Sequence, residues 1–257
     1  MAAPTRDLDR TVALVTGASS GIGEAAARAL AERGAAVALV ARRGDRLEQL
    51  AGEIADAGGT ALPLEADVGN REQARSAVDR AAEELGRLDV LVNNAGVMLL
   101  GPAVEAPVEE WEQMVQVNLL GLLYTAHAAL PHLLAAAGEE PRRVADMINI
   151  SSVAGRQARK GSGVYNATKH GVGAFSEALR QEVTGRHLRV SLVEPGAVDT
   201  ELQSHNRPEI EKEIRGRFAE MDILRSEDIA DAIAYVVTRP RHVAINEVLV
   251  RPTQQEQ

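Results

Sequence analysis

The chain has 257 residues, no cysteine, few aromatic residues and a formal net charge of −9. Without cysteine it has neither disulfides nor thiolate metal sites, which fits a reducing compartment, and we predict a cytoplasmic protein. The excess of acidic residues argues against nucleic acid as a partner, because phosphate backbones are bound by Lys and Arg. The first ten residues contain no apolar segment of the kind found in signal peptides.

Short apolar runs alternate with alanine-rich helical patterns along the chain. They predict strands at 11–16, 36–41, 60–64, 90–92, 147–150, 189–193 and 247–250, and helices at 21–33, 45–57, 71–85, 108–117, 119–137, 164–184 and 227–237. Continuously apolar strands are typical of a sheet covered on both faces, and strand–helix alternation indicates parallel strands. We therefore predict an α/β fold, a Rossmann-type doubly wound parallel sheet of about seven strands with helices on both faces. Residues 1–257 are expected to form a single domain.

The stretch 119–137 carries no formally charged residue and is long enough to cross a membrane. His127, Pro131 and His132 interrupt it, however, and its alanines favour membranes only weakly. Helices that are apolar on all sides are usually buried. We therefore predict a buried or interfacial helix and no membrane partner.

Residues 201–221 form the least periodic stretch in the second half of the chain. They follow a predicted strand, on the side of the sheet where α/β proteins bind ligands. We predict that they form a lid over the substrate; the alternative is an ordinary surface excursion. His205 in this stretch is either a substrate contact or a solvated side chain.

A glycine-rich turn, TGASSGIG at 16–23, lies between the first predicted strand and the first predicted helix. Its glycines allow a pyrophosphate to approach the backbone, where a helix N-terminus offers free N–H groups and a positive dipole end. The turn also satisfies the G-x-G-x-x-G/A fingerprint of dinucleotide binding in its strand–turn–helix context. The predicted cofactor contacts in this turn are Gly17, Ser19, Ser20, Gly21, Ile22 and Gly23.

Two other interpretations of this turn stay open. Residues 17–21 also fit G-x-S-x-G, the nucleophile elbow of α/β-hydrolases, although that motif normally lies deeper in the chain and is followed by Asp and then His. The second alternative is a purely structural turn without a ligand.

Arg42 and Arg43 lie at the end of the second predicted strand, where enzymes that use NAD have an acidic residue for the ribose 2′-hydroxyl. Two guanidinium groups without a carboxylate suit a 2′-phosphate, which arginine grips with two hydrogen bonds. We therefore predict NADP(H) rather than NAD as the cofactor. The alternative is that one or both arginines face solvent.

Further motifs follow in a fixed order along the chain. They are Asp67-Val68, NNAG at 93–96, Asn118, Ser152, Tyr165-x-x-x-Lys169, and Pro195-Gly196 followed by Thr200. Together with the glycine-rich turn, they make the chain resemble the short-chain dehydrogenase/reductase family, in its single-domain NADP-dependent branch. The resemblance extends over nearly the whole chain.

The resemblance implies further contacts with the cofactor. These residues are Asp67, Val68, Asn94, Ala95, Gly96, Pro195, Gly196, Val198 and Thr200, together with Tyr165 and Lys169. In the family, Asp67 would contact the adenine and Asn94 the side of the pocket that holds the adenosine ribose. Val198 and Thr200 would hold the nicotinamide carboxamide.

The resemblance also implies a catalytic group made of Asn118, Ser152, Tyr165 and Lys169. Tyr165 would exchange a proton with the substrate oxygen during hydride transfer. Lys169 follows Tyr165 by four residues on the same helix face, so its ammonium is expected to lower the pKa of the tyrosine from about 10. Lys169 would also bond the nicotinamide ribose, and Asn118 would link it to a water chain. Ser152, selected over Ser151 by the family's spacing, would orient the carbonyl.

A narrower similarity concerns residues 98–102, 175–184, 194–196 and 237–253. They resemble the subgroup that contains clavulanate dehydrogenase and the NADP-dependent 3-hydroxy acid dehydrogenases. This implies a small-molecule aldehyde, ketone or hydroxy acid as substrate. It also implies a homo-oligomer, a tetramer or a dimer, with helices 119–137 and 164–184 as candidate interfaces.

The predicted function is NADPH-dependent hydride transfer between the nicotinamide and a small-molecule carbonyl or alcohol, with Tyr165 as general acid/base. One alternative is a non-catalytic NADP-sensing regulatory protein on the same fold. The presence of Ser152, Tyr165 and Lys169 argues against it, because a sensor needs no proton donor. Another alternative is an epimerase or dehydratase that retains its cofactor, although such chains are usually longer.

The remaining charged residues give weaker indications. The histidines have no metal-ligand spacing, and we predict no metal site. Arg156, Arg159 and Lys160 lie between the serine and the tyrosine motifs. They either attract an anionic substrate or are exposed loop charges. The substrate pocket is expected to include Met98, Leu99, the loop 153–163 and the lid.

Overall fold

A computed structural model describes residues 6–218 and 220–256. Among these residues, seven strands form one sheet in which all neighbouring strands are parallel. In chain order they are β1 Val12–Thr16, β2 Ala36–Ala41, β3 Thr60–Glu65, β4 Val90–Asn93, β5 Ala145–Ile150, β6 Leu188–Pro195 and β7 Glu247–Val250. Across the sheet the order is β3-β2-β1-β4-β5-β6-β7. The predicted Rossmann-type sheet is confirmed.

Helices cover both faces of this sheet. In chain order they are α1 Gly21–Glu32, α2 Gly44–Asp56, α3 Arg71–Leu85, α4 Val108–Met114, α5 Leu122–Ala136, α6 Gly163–Val183, α7 Pro208–Phe218 and α8 Ser226–Val237. The apolar side chains of α1, α2 and α8 share one core, and those of α3, α5 and α6 share another. Along β1, Ala13 and Val15 enter the first core while Val12 and Leu14 enter the second, because successive side chains point to opposite faces.

The helical region around Asn118 differs from the prediction of two separate helices, 108–117 and 119–137. The structure has one continuous helix, Val108–Ala136, whose middle segment Val115–Gly121 is π-helical. A π-turn holds more residues than an α-turn, so the apolar face rotates across it. That rotation interrupts the apolar pattern, although the helix itself continues.

The same helix, Val108–Ala136, is long and apolar enough to cross a membrane. Ala126, Ala129 and Leu133 are fully buried, and they pack in the core on the face of the sheet that also carries α3 and α6. This part of the helix is therefore a core helix, as predicted.

The stretch 201–221, expected to be irregular, contains a 3₁₀ turn at Glu201–His205 followed by α7. Most side chains of α7 are charged, and within it only Ile214 is buried. Its apolar periodicity is too weak to predict a helix from the sequence.

The strand order reverses between β1 and β4, and ligands of open α/β sheets bind at the carboxyl ends of the strands near such a point. The glycine-rich turn follows β1, and the NNAG motif begins in β4. Ser152 lies two residues after β5, and Gly196 directly after β6. The topology therefore brings four separate motifs to one edge of the sheet.

Candidate active site

A cleft of about 400 Å³ runs along this edge of the sheet. Its volume lies in the range of small-molecule sites. The predicted site residues that line it are Gly17, Ser19, Ser20, Gly21, Ile22, Arg42, Arg43, Asp67, Val68, Asn94, Ala95, Gly96, Ser152, Tyr165, Lys169, Pro195, Gly196, Val198 and Thr200. The other two predicted residues, Gly23 and Asn118, lie behind the cleft wall. The structure thus brings together residues that are up to 183 positions apart, from Gly17 to Thr200.

The glycine-rich turn forms one wall of the cleft. Gly17 and Gly21 have left-handed φ angles of 67° and 56°, a conformation that favours glycine. A Cβ on Gly23 would lie 2.3 Å from the carbonyl oxygen of Gly17, so only glycine fits at this position. The turn therefore requires these three glycines for its shape.

Asn94 and Thr16 hold the turn against β4. The Asn94 Nδ2 donates to the Thr16 carbonyl at 3.0 Å. The Thr16 Oγ1 accepts the backbone N–H groups of Asn94 at 3.0 Å and Ala95 at 3.1 Å. The Asn94 amide thus faces the backbone of the turn, and its visible role is to fix the cleft wall. The role of Thr16 was not predicted.

We call one part of the cleft the arginine end; it is lined by Arg42, Arg43, Ser19, Ser20 and Glu201, and Arg46 adjoins it through Glu201. The Arg43 Nη2 donates to the Ser19 Oγ at 3.0 Å and to the Ser20 Oγ at 2.8 Å. Its Nη1 donates to the Glu201 Oε2 at 2.8 Å. Arg42 is exposed and also lines the cleft. Guanidinium groups beside serine hydroxyls are donors of the kind that bind phosphate.

At the opposite part, which we call the tyrosine end, Ser152, Tyr165 and Lys169 line the cleft and Asn118 lies behind its wall. Tyr165 and Lys169 lie one turn apart on α6 and are only 7% and 6% exposed. The Lys169 Nζ lies 5.9 Å from the centroid of the Tyr165 ring and donates to the carbonyl of Ile150 at 2.8 Å. The predicted pairing of the two side chains on one helix face is present.

The acidity of this pair differs from the expectation. Burial raises the pKa of Tyr165 to about 12, and a hydrogen bond with Ser152 offsets only part of the rise. Burial lowers the pKa of Lys169 to about 8. Within the chain itself the pKa of Tyr165 is raised. The expectation that Lys169 lowers it is therefore wrong for the contacts that this chain makes. Loss of hydration opposes both charged forms, and the ammonium is held by the Ile150 carbonyl.

The two adjacent serines after β5 have different partners. The buried Ser151 Oγ donates to the backbone carbonyl of Lys169 at 3.2 Å. The Ser152 Oγ accepts the Ala154 N–H at 3.1 Å and donates to the carbonyl of Pro195 at 3.4 Å. Ser152 is thus the less buried of the two serines, and it lines the same cleft as Tyr165.

Asn118 lies on the π-helical segment and is 1% exposed. Its Oδ1 accepts the N–H of Val97, and its Nδ2 donates to the carbonyl of the same residue, both at 2.8 Å. The side chain therefore fixes the chain just after the NNAG motif instead of facing the cleft.

The end of β6 carries Pro195 and Gly196 into the cleft wall. The N–H of the next residue, Ala197, donates to the Gln255 Oε1 at 2.9 Å, so the end of the chain returns to this wall. Thr200 accepts the Leu202 N–H at 3.3 Å and caps the 3₁₀ turn Glu201–His205. The contribution of Gln255 was not predicted, because no local pattern marks it.

The segment 201–218 is anchored on the far side of the cleft by Asn206. This residue is 7% exposed, and its Oδ1 accepts the N–H of Leu100 at 2.7 Å. The neighbouring Arg207 forms an ion pair with Glu110 of α4, with 3.4 Å between Nε and Oε1. The first part of the segment, residues 201–207, is therefore attached on two sides, to the arginine end through Glu201 and to the loop after β4 and to α4 through Asn206 and Arg207.

His205 lines the cleft near the arginine end. Burial and the charges of Arg42 and Arg43 lower its pKa, which favours the neutral imidazole. Of the three loop cations considered earlier, Arg159 lines the cleft, whereas Arg156 pairs with Glu194 and Glu247. Within residues 6–218 and 220–256, no group of three His, Asp or Glu side chains is placed to hold a metal ion.

Residues 11–211 match the family model described as short chain dehydrogenase. The chain belongs to the short-chain dehydrogenase family. It is therefore an oxidoreductase that acts on CH–OH groups, as the motifs predicted.

Relatives of this short-chain dehydrogenase include an uncharacterized oxidoreductase of Staphylococcus aureus, 37% identical over 94% of this chain and 96% of the relative. Glycine betaine reductase of Emericella nidulans is 42% identical over 97% of this chain. In that case the chain spans only 19% of the relative's length.

Solved structures of two dehydrogenases superimpose closely on this one. Serine dehydrogenase in its closed form with NADP+ has a TM-score of 0.87 at 34% identity, covering 96% of this chain and 97% of its own. An alcohol dehydrogenase of the archaeon Thermococcus sibiricus, complexed with 5-hydroxy-NADP, has a TM-score of 0.84 at 30% identity, covering 96% and 98%.

Proposed function

We propose that this short-chain dehydrogenase transfers a hydride between NADP(H) and a small-molecule carbonyl or alcohol, with Tyr165 as the general acid/base. The observation that carries the proposal is the juxtaposition of Ser152, Tyr165 and Lys169 at one end of a cleft whose other end has two arginines. Each of these residue types has a role in such a reaction, and all of them line the same cleft.

The residues of the cleft fit NADP(H). The glycine-rich turn and the N-terminus of α1 suit a pyrophosphate, since Gly17, Gly21 and Ile22 line the cleft where the helix begins. The hydroxyls of Ser19 and Ser20, with Arg42 and Arg43, suit a 2′-phosphate. The two neighbours solved with NADP+ and 5-hydroxy-NADP support this assignment.

At the tyrosine end, the chain's own residues manage the proton. When bound, the cofactor supplies the hydride. The hydroxyl of Tyr165 donates its proton to the carbonyl oxygen as negative charge grows there, and Ser152 donates a hydrogen bond to the same oxygen. Tyr165 is protonated at neutral pH and can act as the donor; because burial raises its pKa to about 12, the phenolate that forms needs stabilisation by a neighbouring charge.

Lys169 and Asn118 are proposed to support this proton transfer. Lys169 would bond the nicotinamide ribose and, while protonated, favour the phenolate that Tyr165 becomes after donating its proton. Asn118 would act through Val97, whose backbone it holds on both sides. It is thus proposed as a positioning residue for the cleft wall.

The segment 201–221 is proposed as a lid, and residues 1–257 as one domain. Support for the lid comes from its position across the cleft, since Leu202, His205 and Ile214 all line it. The substrate would be a small aldehyde, ketone or hydroxy acid that reaches Tyr165 between this segment and Met98. We also propose that the protein forms a homo-oligomer through α5 and α6. Sedimentation velocity tests this proposal, and a monomer would contradict it.

The proposed reaction is tested by following the reduced nicotinamide band at 340 nm with a panel of aldehydes, ketones and keto acids. The wild type is expected to oxidise NADPH with at least one of them. Tyr165→Phe, which removes the proton donor and keeps the ring, should lower kcat by about a thousandfold or more.

The matched control is Tyr235→Phe, which removes the same hydroxyl from a side chain that is 52% exposed on α8. It should leave kcat within about twofold of the wild type. Absence of turnover by the wild type with the whole panel, or full turnover by Tyr165→Phe, would contradict the proposal.

A further inference from the structure

Glu201 bridges two arginines at the arginine end of the cleft. Its Oε2 accepts from the Arg43 Nη1 at 2.8 Å, and its Oε1 accepts from the Arg46 Nη1 at 2.7 Å. Among the described residues, it is the only carboxylate hydrogen-bonded to either arginine. Since Glu201 opens the 3₁₀ turn of the proposed lid, the bridge ties the lid to the start of α2.

The bridging carboxylate is charged throughout the neutral range. The hydrogen bonds from Arg46 and Arg43 lower the pKa of Glu201 to about 2. Four residues further on, the pKa of His205 is lowered by burial and by the charges of Arg42 and Arg43. The negative charge that the lid presents to Arg43 is therefore that of Glu201.

The donors of Arg43 are already engaged by the chain itself. Its Nε and Nη2 donate to the hydroxyls of Ser19 and Ser20, and its Nη1 donates to Glu201. A phosphate that binds here can receive hydrogen bonds from the serines as well, because a hydroxyl both donates and accepts. A carboxylate only accepts, and it repels a second anion on the same guanidinium.

We propose that Glu201 is a specificity-determining residue that competes with the cofactor's 2′-phosphate for Arg43. This inference rests on the proposed use of NADP(H). Glu201 makes the preference for NADP(H) over NAD(H) smaller. The reason is that binding of the 2′-phosphate requires the carboxylate to release Arg43 and to keep its hydrogen bond with Arg46 alone. The same exchange loosens one of the two attachments of the proposed lid.

The competition is measured with two fragments that differ only in this phosphate, adenosine 2′,5′-bisphosphate and 5′-AMP. Isothermal titration calorimetry on the full chain gives both dissociation constants without any turnover. Glu201→Gln keeps the shape of the side chain and removes its charge. It should tighten binding of the bisphosphate by about threefold to tenfold at low salt and leave 5′-AMP within about 1.5-fold.

Two further variants separate competition for Arg43 from a change in overall charge. Glu53→Gln removes the same charge from α2, at a side chain of similar exposure that pairs with Arg28. It should leave the ratio of the two dissociation constants unchanged. In an Arg43→Gln background, Glu201→Gln should change that ratio by less than about twofold, because the shared guanidinium is gone.

The outcomes separate this inference from the proposed function. If the wild type binds the bisphosphate no more tightly than 5′-AMP, the proposed NADP preference fails, and the competition fails with it. If the wild type prefers the bisphosphate but Glu201→Gln leaves the preference unchanged or weakens it, Glu201 is not a competitor, while the proposed function stands. Equal tightening of both fragments would indicate a general charge effect and would also overturn the inference.

Discussion

The two ends of the cleft are built from different interactions. At the tyrosine end, Asn118, Tyr165 and Lys169 are between 1% and 7% exposed and are held by hydrogen bonds to backbone groups and by packing. At the arginine end, the side chains of Arg43 and Glu201 are 41% and 43% exposed and are held mainly by ion pairs. One end is buried and holds a single amine, whereas the other is partly exposed and carries several charges.

This difference indicates how much change each end can tolerate. A buried polar group left without a partner costs about 1–3 kcal/mol, whereas an exposed ion pair contributes about 1 kcal/mol or less. The tyrosine end is therefore expected to resist substitution and to set the reaction. The arginine end can exchange partners at little cost, which suits a region that selects among cofactors.

The largest effect is expected at the tyrosine end, from the buried amine of Lys169. Its pKa of about 8, against 10.5 ordinarily, means that folding removes a proton from it between these pH values. The unfolded chain binds more protons there, so stability increases with pH. Relative to Lys169→Met, the wild type should gain about 2–3 kcal/mol in the free energy of unfolding between pH 7 and pH 10.

Urea unfolding of both proteins at each pH measures this difference. Lys160→Met, in an exposed loop, is the matched control and should show a difference that does not vary with pH. If the difference in the free energy of unfolding between the wild type and Lys169→Met is also constant with pH, the buried amine keeps its proton. The two ends of the cleft would then differ less in their electrostatics.

At the arginine end, a smaller and more selective effect is expected. Arg42→Ala combined with Arg43→Ala should weaken NADPH binding by about tenfold to a hundredfold and NADH binding by less than about threefold. Loss of charge-assisted hydrogen bonds to the 2′-phosphate is the reason. Titration of the reduced-nicotinamide fluorescence measures both affinities.

Arg75→Ala removes an exposed charge from α3 and serves as the control for that experiment. It should change neither affinity. If the double variant binds NADPH and NADH with equally weakened affinity, the two arginines do not bind the 2′-phosphate.

The smallest effect is expected at Asn206, where the segment 201–218 meets the loop after β4. Asn206→Ala removes the acceptor for the Leu100 N–H, a hydrogen bond worth about 1 kcal/mol. The KM for the carbonyl substrate should rise by about threefold to tenfold, and kcat should stay within about twofold, since no proton donor changes. Ser204→Ala, exposed in the same turn, should leave both parameters unchanged. A fall in kcat with constant KM would contradict a lid role.

Much of the fold could be predicted from local sequence patterns. The bounds of β2, β7 and α3 agree with the prediction residue by residue. For α3 the reason is visible, because Asn70 caps its first turn and Gly86 ends it with a left-handed φ of 86°. The inner strands β2, β1, β4, β5 and β6 were recognisable because burial on both faces makes them largely apolar.

Contacts between distant residues could not be predicted in the same way. The partners Arg43 and Glu201 are 158 residues apart, and neither lies in a pattern that points to the other. Gln255 reaches Ala197 only because β7 returns the chain to the edge of β6. The pKa values of Tyr165 and Lys169 depend on burial, which sequence spacing does not measure.

The π-helical segment Val115–Gly121 makes the site depend on the number of residues in a helix as well as on their identity. Removal of one residue from this segment would allow an uninterrupted α-helix to form. Within the segment the side chains would point in new directions, because an α-turn holds fewer residues than a π-turn. The amide of Asn118 would then swing away from Val97, and the wall of the cleft would lose its clamp. A deletion that makes the helix more regular would therefore damage the site.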